Sequence, residues 1–246
     1  MDLRAQAFAP AYDAFRRAVE LNSKNTAALS GLSDAAGAVN RLDEERAWLA
    51  EIASREQTNA PVRIELSRIL AVGGDANGAA QAASEALELT PNDARAAEQL
   101  ASVFADAGDQ PKLAALSEQL VTRFPNRADS WYYRATTLFL AGRYPEAIIA
   151  ARKVVDIQPS HDRAQGLIGA ACAASGQREC AQMAFDASIR DSPRDPMRYV
   201  NAGLFQLQIA NASAAERYFA SALVVDPSSA AARQGLADAR VLLEKR

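Results

Sequence analysis

The chain has 246 residues, 49% apolar and 23% charged, with a formal charge of −3, the balance of an ordinary folded domain. Its acidic and basic residues are interspersed, so no basic run offers itself to a phosphate backbone, which excludes nucleic acid as the expected partner. There is no uninterrupted apolar run of about 18 residues to insert in a membrane, and the opening MDLRAQAFAPAYDAFRRAVE lacks the apolar core of a signal peptide. A leader already removed would leave the same sequence, so cytoplasmic and periplasmic residence both stay open.

Internal periodicity organises the rest. Pro91, Pro125, Pro159, Pro193 and Pro227 recur at intervals of 34 residues, a period that signals stacked helix pairs. With the proline at position 32, full units begin at Thr26, Ala60, Ala94, Ala128, Asp162 and Pro196. The pattern starts inside a unit. Residues 1–25 supply one second helix, over 10–22, with Ala11, Phe15, Ala18 and Leu21 in register; either Met1–Ala9 forms a makeshift cap or the chain is a piece of a longer protein. Residues 26–59 are degenerate: Glu45 takes the place of a small residue at position 20, and Gln57 that of the proline. A core stripe nevertheless survives in Leu29, Leu32, Trp48, Leu49 and Ile52.

Residues 60–93, 94–127, 128–161, 162–195 and 196–229 follow as fuller units. Position 15 is Gly74, Gly108, Gly142 and Gly176, with Asn40 in the degenerate unit and Ala210, followed by Asn211, in the last. Glycine and asparagine tolerate the left-handed backbone that ends a helix and turns the chain back. Position 8 is always small: Ser33, Ser67, Ala101, Ala135, Gly169, Gly203. Position 20 is mostly alanine: Ala11, Ala79, Ala147, Ala181, Ala215. Small residues at both places let two antiparallel helices approach closely, and the proline closes each second helix because it cannot continue one. Apolar residues such as Leu100, Val103 and Phe104 recur at helical spacing between these marks. Residues 230–246 read as the first helix of one more unit whose positions 4 and 11 are Arg233 and Arg240, the polar outer face a terminal helix needs, with Leu236 and Ala237 packing inward.

The pattern Trp131, Ala135, Leu138, Gly142, Tyr144, Ala147, Val154, Pro159 in residues 128–159 resembles the tetratricopeptide repeat. Arg134 at a usually aliphatic position and Cys172 where a large aromatic is common are departures. The resemblance implies an all-α, right-handed superhelical solenoid of antiparallel helix pairs over 1–246: six full units, a partial N-terminal unit and a C-terminal capping helix. It makes Trp131 and Trp48 core anchors.

Chemistry is thinly represented. His161, the one histidine, follows Pro159 in a loop and reads as a solvated turn residue. There is no second histidine for a metal site of the usual kind. No nucleophile elbow, phosphate loop or dinucleotide fingerprint is present; Val72-Gly73-Gly74-Asp75 is a turn between helices. Cys172 and Cys180 flank Gly176 at equal distances, which brings them to similar heights on adjacent helices. They are either a disulfide, which would imply an oxidising compartment, or two buried thiols. The expectation is therefore a protein that is not an enzyme and uses no cofactor or metal.

By the resemblance, first helices line a concave groove through positions 2, 5, 6, 9, 12 and 13. That places Tyr132, Tyr133, Thr136, Phe139 and Leu140 beside Arg163, Leu167 and the small residues Gly166, Ala170 and Ala173, with Met197, Val200, Asn201 and Leu204 further along. Arg68, Arg95, Gln99 and Ser102 lie in earlier units, the two arginines as anchors for an acidic group. A bulky cluster beside small residues predicts a peptide or partner-helix site. The carboxylate clamp for chaperone tails is not expected, since Asn201 alone matches it while Gly166, Ala170 and Gly235 do not. Two other readings stand beside a scaffold or adaptor: the repeat region of a larger enzyme or export protein, as in glycosyltransferases, sulfatases or polysaccharide-export proteins, and self-assembly through an N-terminal edge around Phe8, Phe15 and Val19.

Overall fold

Among the described residues, six left-handed residues set the architecture. Gly74, Gly108, Gly142 and Gly176 have φ between 69° and 82°, and Asn40 and Ala210 join them at 57° and 60°. At each, the amide of the next residue bonds back five residues: Arg41 to Ala36, Asp75 to Leu70, Asp109 to Phe104, Arg143 to Leu138, Gln177 to Cys172 and Asn211 to Gln206, at 2.8–2.9 Å. This is the closing bond of a Schellman motif, which satisfies a last-turn carbonyl while reversing the chain. Many of the helices that follow are capped by side chains: Asp75 accepts from the Gly78 amide and Asn211 from the Ala214 amide, as Asn25 and Asn59 do for first helices. Such caps satisfy amides that have no partner in the helix itself.

The structure is a computed structural model that describes residues 3–244; Met1, Asp2, Lys245 and Arg246, parts of the expected end caps, lie outside the described residues. Among the described residues it is an all-α helical repeat fold of fourteen helices. The contacts divide it into two compact units, Met1–Leu120 and Val121–Arg246.

The first unit contains α1 (Leu3–Leu21), α2 (Thr26–Ala38), α3 (Leu42–Arg55), α4 (Ala60–Val72), α5 (Ala76–Leu89), α6 (Ala94–Asp106) and most of α7 (Gln110–Arg123). First helices pack on one another, α2 on α4 and α4 on α6, while α1, α3 and α5 pack against their sequence neighbours. Tyr12, Val19, Leu29, Leu32, Leu49, Ile52, Val62 and Ile69 form its main core. The second helix expected over 10–22 is the C-terminal part of α1, which begins before Pro10. Leu21, in register with Leu89, is exposed as Leu89 is. One expectation there needs correction: Val19, assigned to a free edge, is completely buried in the same core as Tyr12, with Phe15 half-covered. Trp48 sits at the margin of this core under Arg16, whose guanidinium is 4.8 Å from the ring.

The second unit contains α8 (Ala128–Leu140), α9 (Tyr144–Ile157), α10 (Ala164–Ala174), α11 (Arg178–Asp191), α12 (Pro196–Gln208), α13 (Ala212–Val225) and α14 (Ala230–Glu244). Each first helix contacts the next first helix, α8 to α10 to α12 to α14, and α8, α10 and α12 each pack with the second helix of their own repeat. The core runs through Ala135, Leu138, Ala147, Ala151, Ile168, Cys172, Phe185 and Phe205, then through Val200, Phe219, Ala222, Ala232 and Ala239. Trp131 is half-buried against this core and donates its indole N–H to the Pro125 carbonyl at 2.7 Å. In α14 the exposed Arg240 pairs with Glu216 at 2.9 Å and Arg233 caps the carbonyls of Pro227 and Ser228. Leu236 packs inward but Ala237 is exposed; Ala232, Gly235 and Ala239 make the inner face instead.

Candidate functional site

Tyr133, His161 and Arg163 converge around Tyr132. Arg163 is the N-cap residue of α10, one repeat on from Asp129 in the first turn of α8, so the stacking of first helices brings the two together. The Arg163 guanidinium lies 4.2 Å from the centre of the Tyr132 ring, close enough for a cation–π interaction, and 3.6 Å from the Asp129 carboxylate. It also donates to the Tyr133 hydroxyl. On another side of Tyr132 lies the His161 ring, 5.2 Å centre to centre. Tyr132 itself is half-buried, meets Tyr133 edge-on at 5.5 Å, and so is held in one orientation by three neighbours.

His161 departs most from expectation. It is not a solvated turn residue: it is 4% exposed, and its Nε2 is 3.2 Å from Asp129 Oδ1. That hydrogen bond is the main reason the Asp129 carboxyl is held below the ordinary aspartate value; burial opposes it, and Arg163 and Arg127 reinforce it. His161 Nδ1 is buried without a partner, so the imidazole works as a buried prop under Tyr132 and Asp129. Its position could have been anticipated only by noticing that a residue at position 34 meets position 2 of the preceding first helix.

Several expected groove residues are committed elsewhere. Tyr133 is 4% exposed and belongs to the support of Tyr132 rather than to an open surface. The Thr136 hydroxyl bonds the Tyr132 carbonyl at 3.0 Å. Phe139 and Leu167 pack against the core, Phe139 also meeting Tyr144 at 5.6 Å. A side chain at Gly166 would point toward Arg198 and Ser188, at 3.5 and 3.8 Å, so the expected empty space there is bounded by α11 and α12. Asn201 is half-buried. The surface that remains is apolar: Leu140, Met197 and Leu204 are 42%, 50% and 52% exposed.

In the first unit the expected acidic-group anchors are already matched. Arg68 pairs with Asp34 and Glu65, both at 2.8 Å, and donates to the Ser30 carbonyl. Arg95 pairs at 2.6 Å with Asp93, the residue that caps its own helix, and Gln99 donates to Ser67 at 3.1 Å. Cys172 and Cys180 are joined in a disulfide with Cα atoms 5.7 Å apart, within the reach such a bond requires. Among the described residues no helix is long and apolar enough to cross a membrane.

The family model described as tetratricopeptide repeat matches residues 113–162, the span that includes the Trp131–Pro159 pattern. This span matches the tetratricopeptide repeat. No curated protein matches the chain. Among solved structures, the Cut9–Hcn1 hetero-tetramer of the APC/C is similar with a TM-score of 0.77 at 14% identity, over 96% of this chain and 46% of that one; this chain thus spans about half of the chain it matches. The thermophilic tetratricopeptide protein TTC0263 from Thermus thermophilus is similar with a TM-score of 0.68 at 18% identity, over 74% and 99%. YrrB, described as a tetratricopeptide protein with an unusual peptide-binding site, gives 0.51 at 18% identity, over 76% and 96%. At these identities the likeness is one of fold.

Proposed function

We propose that this chain is a non-enzymatic binding scaffold, and that its second unit takes an extended peptide or partner helix against the first helices α8, α10 and α12. The observation that carries the reading is the fixed Tyr132 ring, braced by His161, Tyr133 and Arg163, together with Leu140, Met197 and Leu204 at roughly half exposure on the same set of first helices. A rigid aromatic binds at little entropic cost, because few rotamers remain to be frozen. Since Arg163 is already matched by Asp129, the occupant is held by apolar side chains rather than by an acidic tail. Arg68 and Arg95, satisfied within the first unit, take no part. The disulfide supports residence in an oxidising compartment.

The test is affinity capture from native extract with the intact chain, with Tyr132→Ala and with Leu204→Glu. Both substitutions touch half-covered or exposed residues and leave the buried Tyr133 in place. Loss of the same captured protein with both variants, at unchanged helix content, supports the site; capture of an identical set by all three refutes it.

A further inference from the structure

We infer that the Cys172–Cys180 disulfide is shielded from thiol exchange in the folded protein, because the only sulfur that can be reached has a leaving group that the fold disfavours. Cys172 sits in the last turn of α10 and is 0% exposed, within the core built by Leu138, Ala147, Ile168 and Ala181. Cys180 is the third residue of α11, half-buried, and lines a cleft of 560 Å³ together with Ile168, Met183, Arg152 and Arg190.

Exchange proceeds by attack of a thiolate on one sulfur and departure of the other, and it is faster when the departing thiol has a lower pKa. Attack on Cys172 Sγ would expel Cys180 as a thiolate at the N-terminal turn of α11, where the helix dipole favours negative charge; but Cys172 offers no surface to attack. Attack on Cys180 Sγ through the cleft is sterically open. The new bond joins the incoming sulfur to Cys180 Sγ, the Sγ–Sγ bond breaks, and its electron pair leaves on Cys172 Sγ. That thiolate would form in an alanine-lined core at the C-terminal end of α10, where burial and the dipole both disfavour it. The Cα separation of 5.7 Å also keeps it poised to attack the mixed disulfide and restore the original bond. With dithiothreitol, complete reduction needs the second thiol of the reagent to close on the first, releasing Cys180 as its thiol and oxidising the reagent by two electrons. The return of Cys172 competes with that step for as long as the core is closed.

The experiment follows reduction of the intact chain by dithiothreitol, with N-ethylmaleimide quenching and mass spectrometry, in buffer and in unfolding urea. Reduction in buffer is expected to be slower by about 100-fold or more than in urea, where the core is open. A native rate close to that in urea would overturn the inference, as would two free thiols in protein purified under oxidising conditions. Single variants separate the two sulfurs. In Cys172→Ser, Cys180 should be alkylated by N-ethylmaleimide without urea; in Cys180→Ser, Cys172 should resist until urea is added. Equal native labelling of both would contradict the assigned asymmetry, and the wild-type kinetics decide the matter if either variant fails to fold.

Discussion

Gly169 and Phe185 share one volume: a Cβ on Gly169 would stand 2.8 Å from the Phe185 ring. The same fit recurs one repeat later between Gly203 and Phe219, also at 2.8 Å. In the units where the corresponding second-helix residue is Ala151, Ser117 or Ala83, position 8 carries Ala135, Ala101 or Ser67 instead. The two positions therefore trade volume to keep the helix spacing. Gly169→Ala should destabilise the second unit by about 1–3 kcal/mol, the usual cost of an overpacked core, read from urea unfolding. Gly169→Ala combined with Phe185→Leu should cost less than the two single changes added together; strict additivity would contradict the shared volume.

Glu45 makes the stability of the first unit depend on pH. It is fully buried, accepts a hydrogen bond from the Tyr12 hydroxyl at 3.2 Å, and leaves Oε1 unpartnered. Burial pushes its carboxyl up from 4.5 to about 7; Tyr12, Arg16 and Arg41 pull it back, and Glu44 pushes the same way as burial. Because the folded value is the higher one, the folded state holds a proton that the unfolded chain releases. The associated stability is fully present below about pH 4.5 and is lost as pH rises through about 7. At about 1.4 kcal/mol per pH unit, the span corresponds to about 3 kcal/mol. Glu45→Gln, which has no such proton, should gain on the wild type in urea unfolding as pH moves from 5 to 8. A constant difference between them would contradict the buried carboxyl.

Ala210 adopts φ 60° without the freedom of the glycines at the equivalent turns. A left-handed alanine costs about 1–2 kcal/mol, partly offset by the chain entropy that glycine would lose. Ala210→Gly should therefore raise stability by about 0.5–1 kcal/mol in urea unfolding. Gly142→Ala, at φ 72° with open space where its Cβ would stand, should lower it by about 1 kcal/mol from backbone strain alone.

Arg68 offsets Glu65, a buried carboxylate that also accepts from Ser33 at 2.9 Å. Arg68→Ala should destabilise the first unit by about 1–3 kcal/mol by removing that partner, without weakening capture of a ligand by the second unit. Lost capture at full helix content would place Arg68 in the binding surface after all.

The turns were legible residue by residue because their requirement is local: a left-handed backbone selects glycine or asparagine, and Gly74 through Gly176 and Asn40 mark it in the sequence. The core stripes of α2 and α3 followed from spacing for the same reason. What was not legible depends on contacts one period apart. His161 read as a loop residue because its burial comes from Asp129 and Tyr132, 32 and 29 residues earlier, not from its neighbours. Glu45 read as the replacement of a small residue; only the hydrogen bond from the Tyr12 hydroxyl on α1, 33 residues away, shows what it does. Tyr133 was assigned to the groove from its repeat position, but the Arg163 guanidinium and the Tyr132 ring fill the space around it. The disulfide lay between these cases, since the symmetry about Gly176 set the heights of the two cysteines but left their pairing open.

The central claim, a binding face on the first helices of the second unit, is tested most directly by comparing the affinity of a captured partner for the intact chain and for Tyr132→Ala. The account predicts a loss of at least about 30-fold, corresponding to about 2 kcal/mol, as for a principal anchor, with unchanged unfolding of the first unit. An affinity within twofold of the wild type would contradict it.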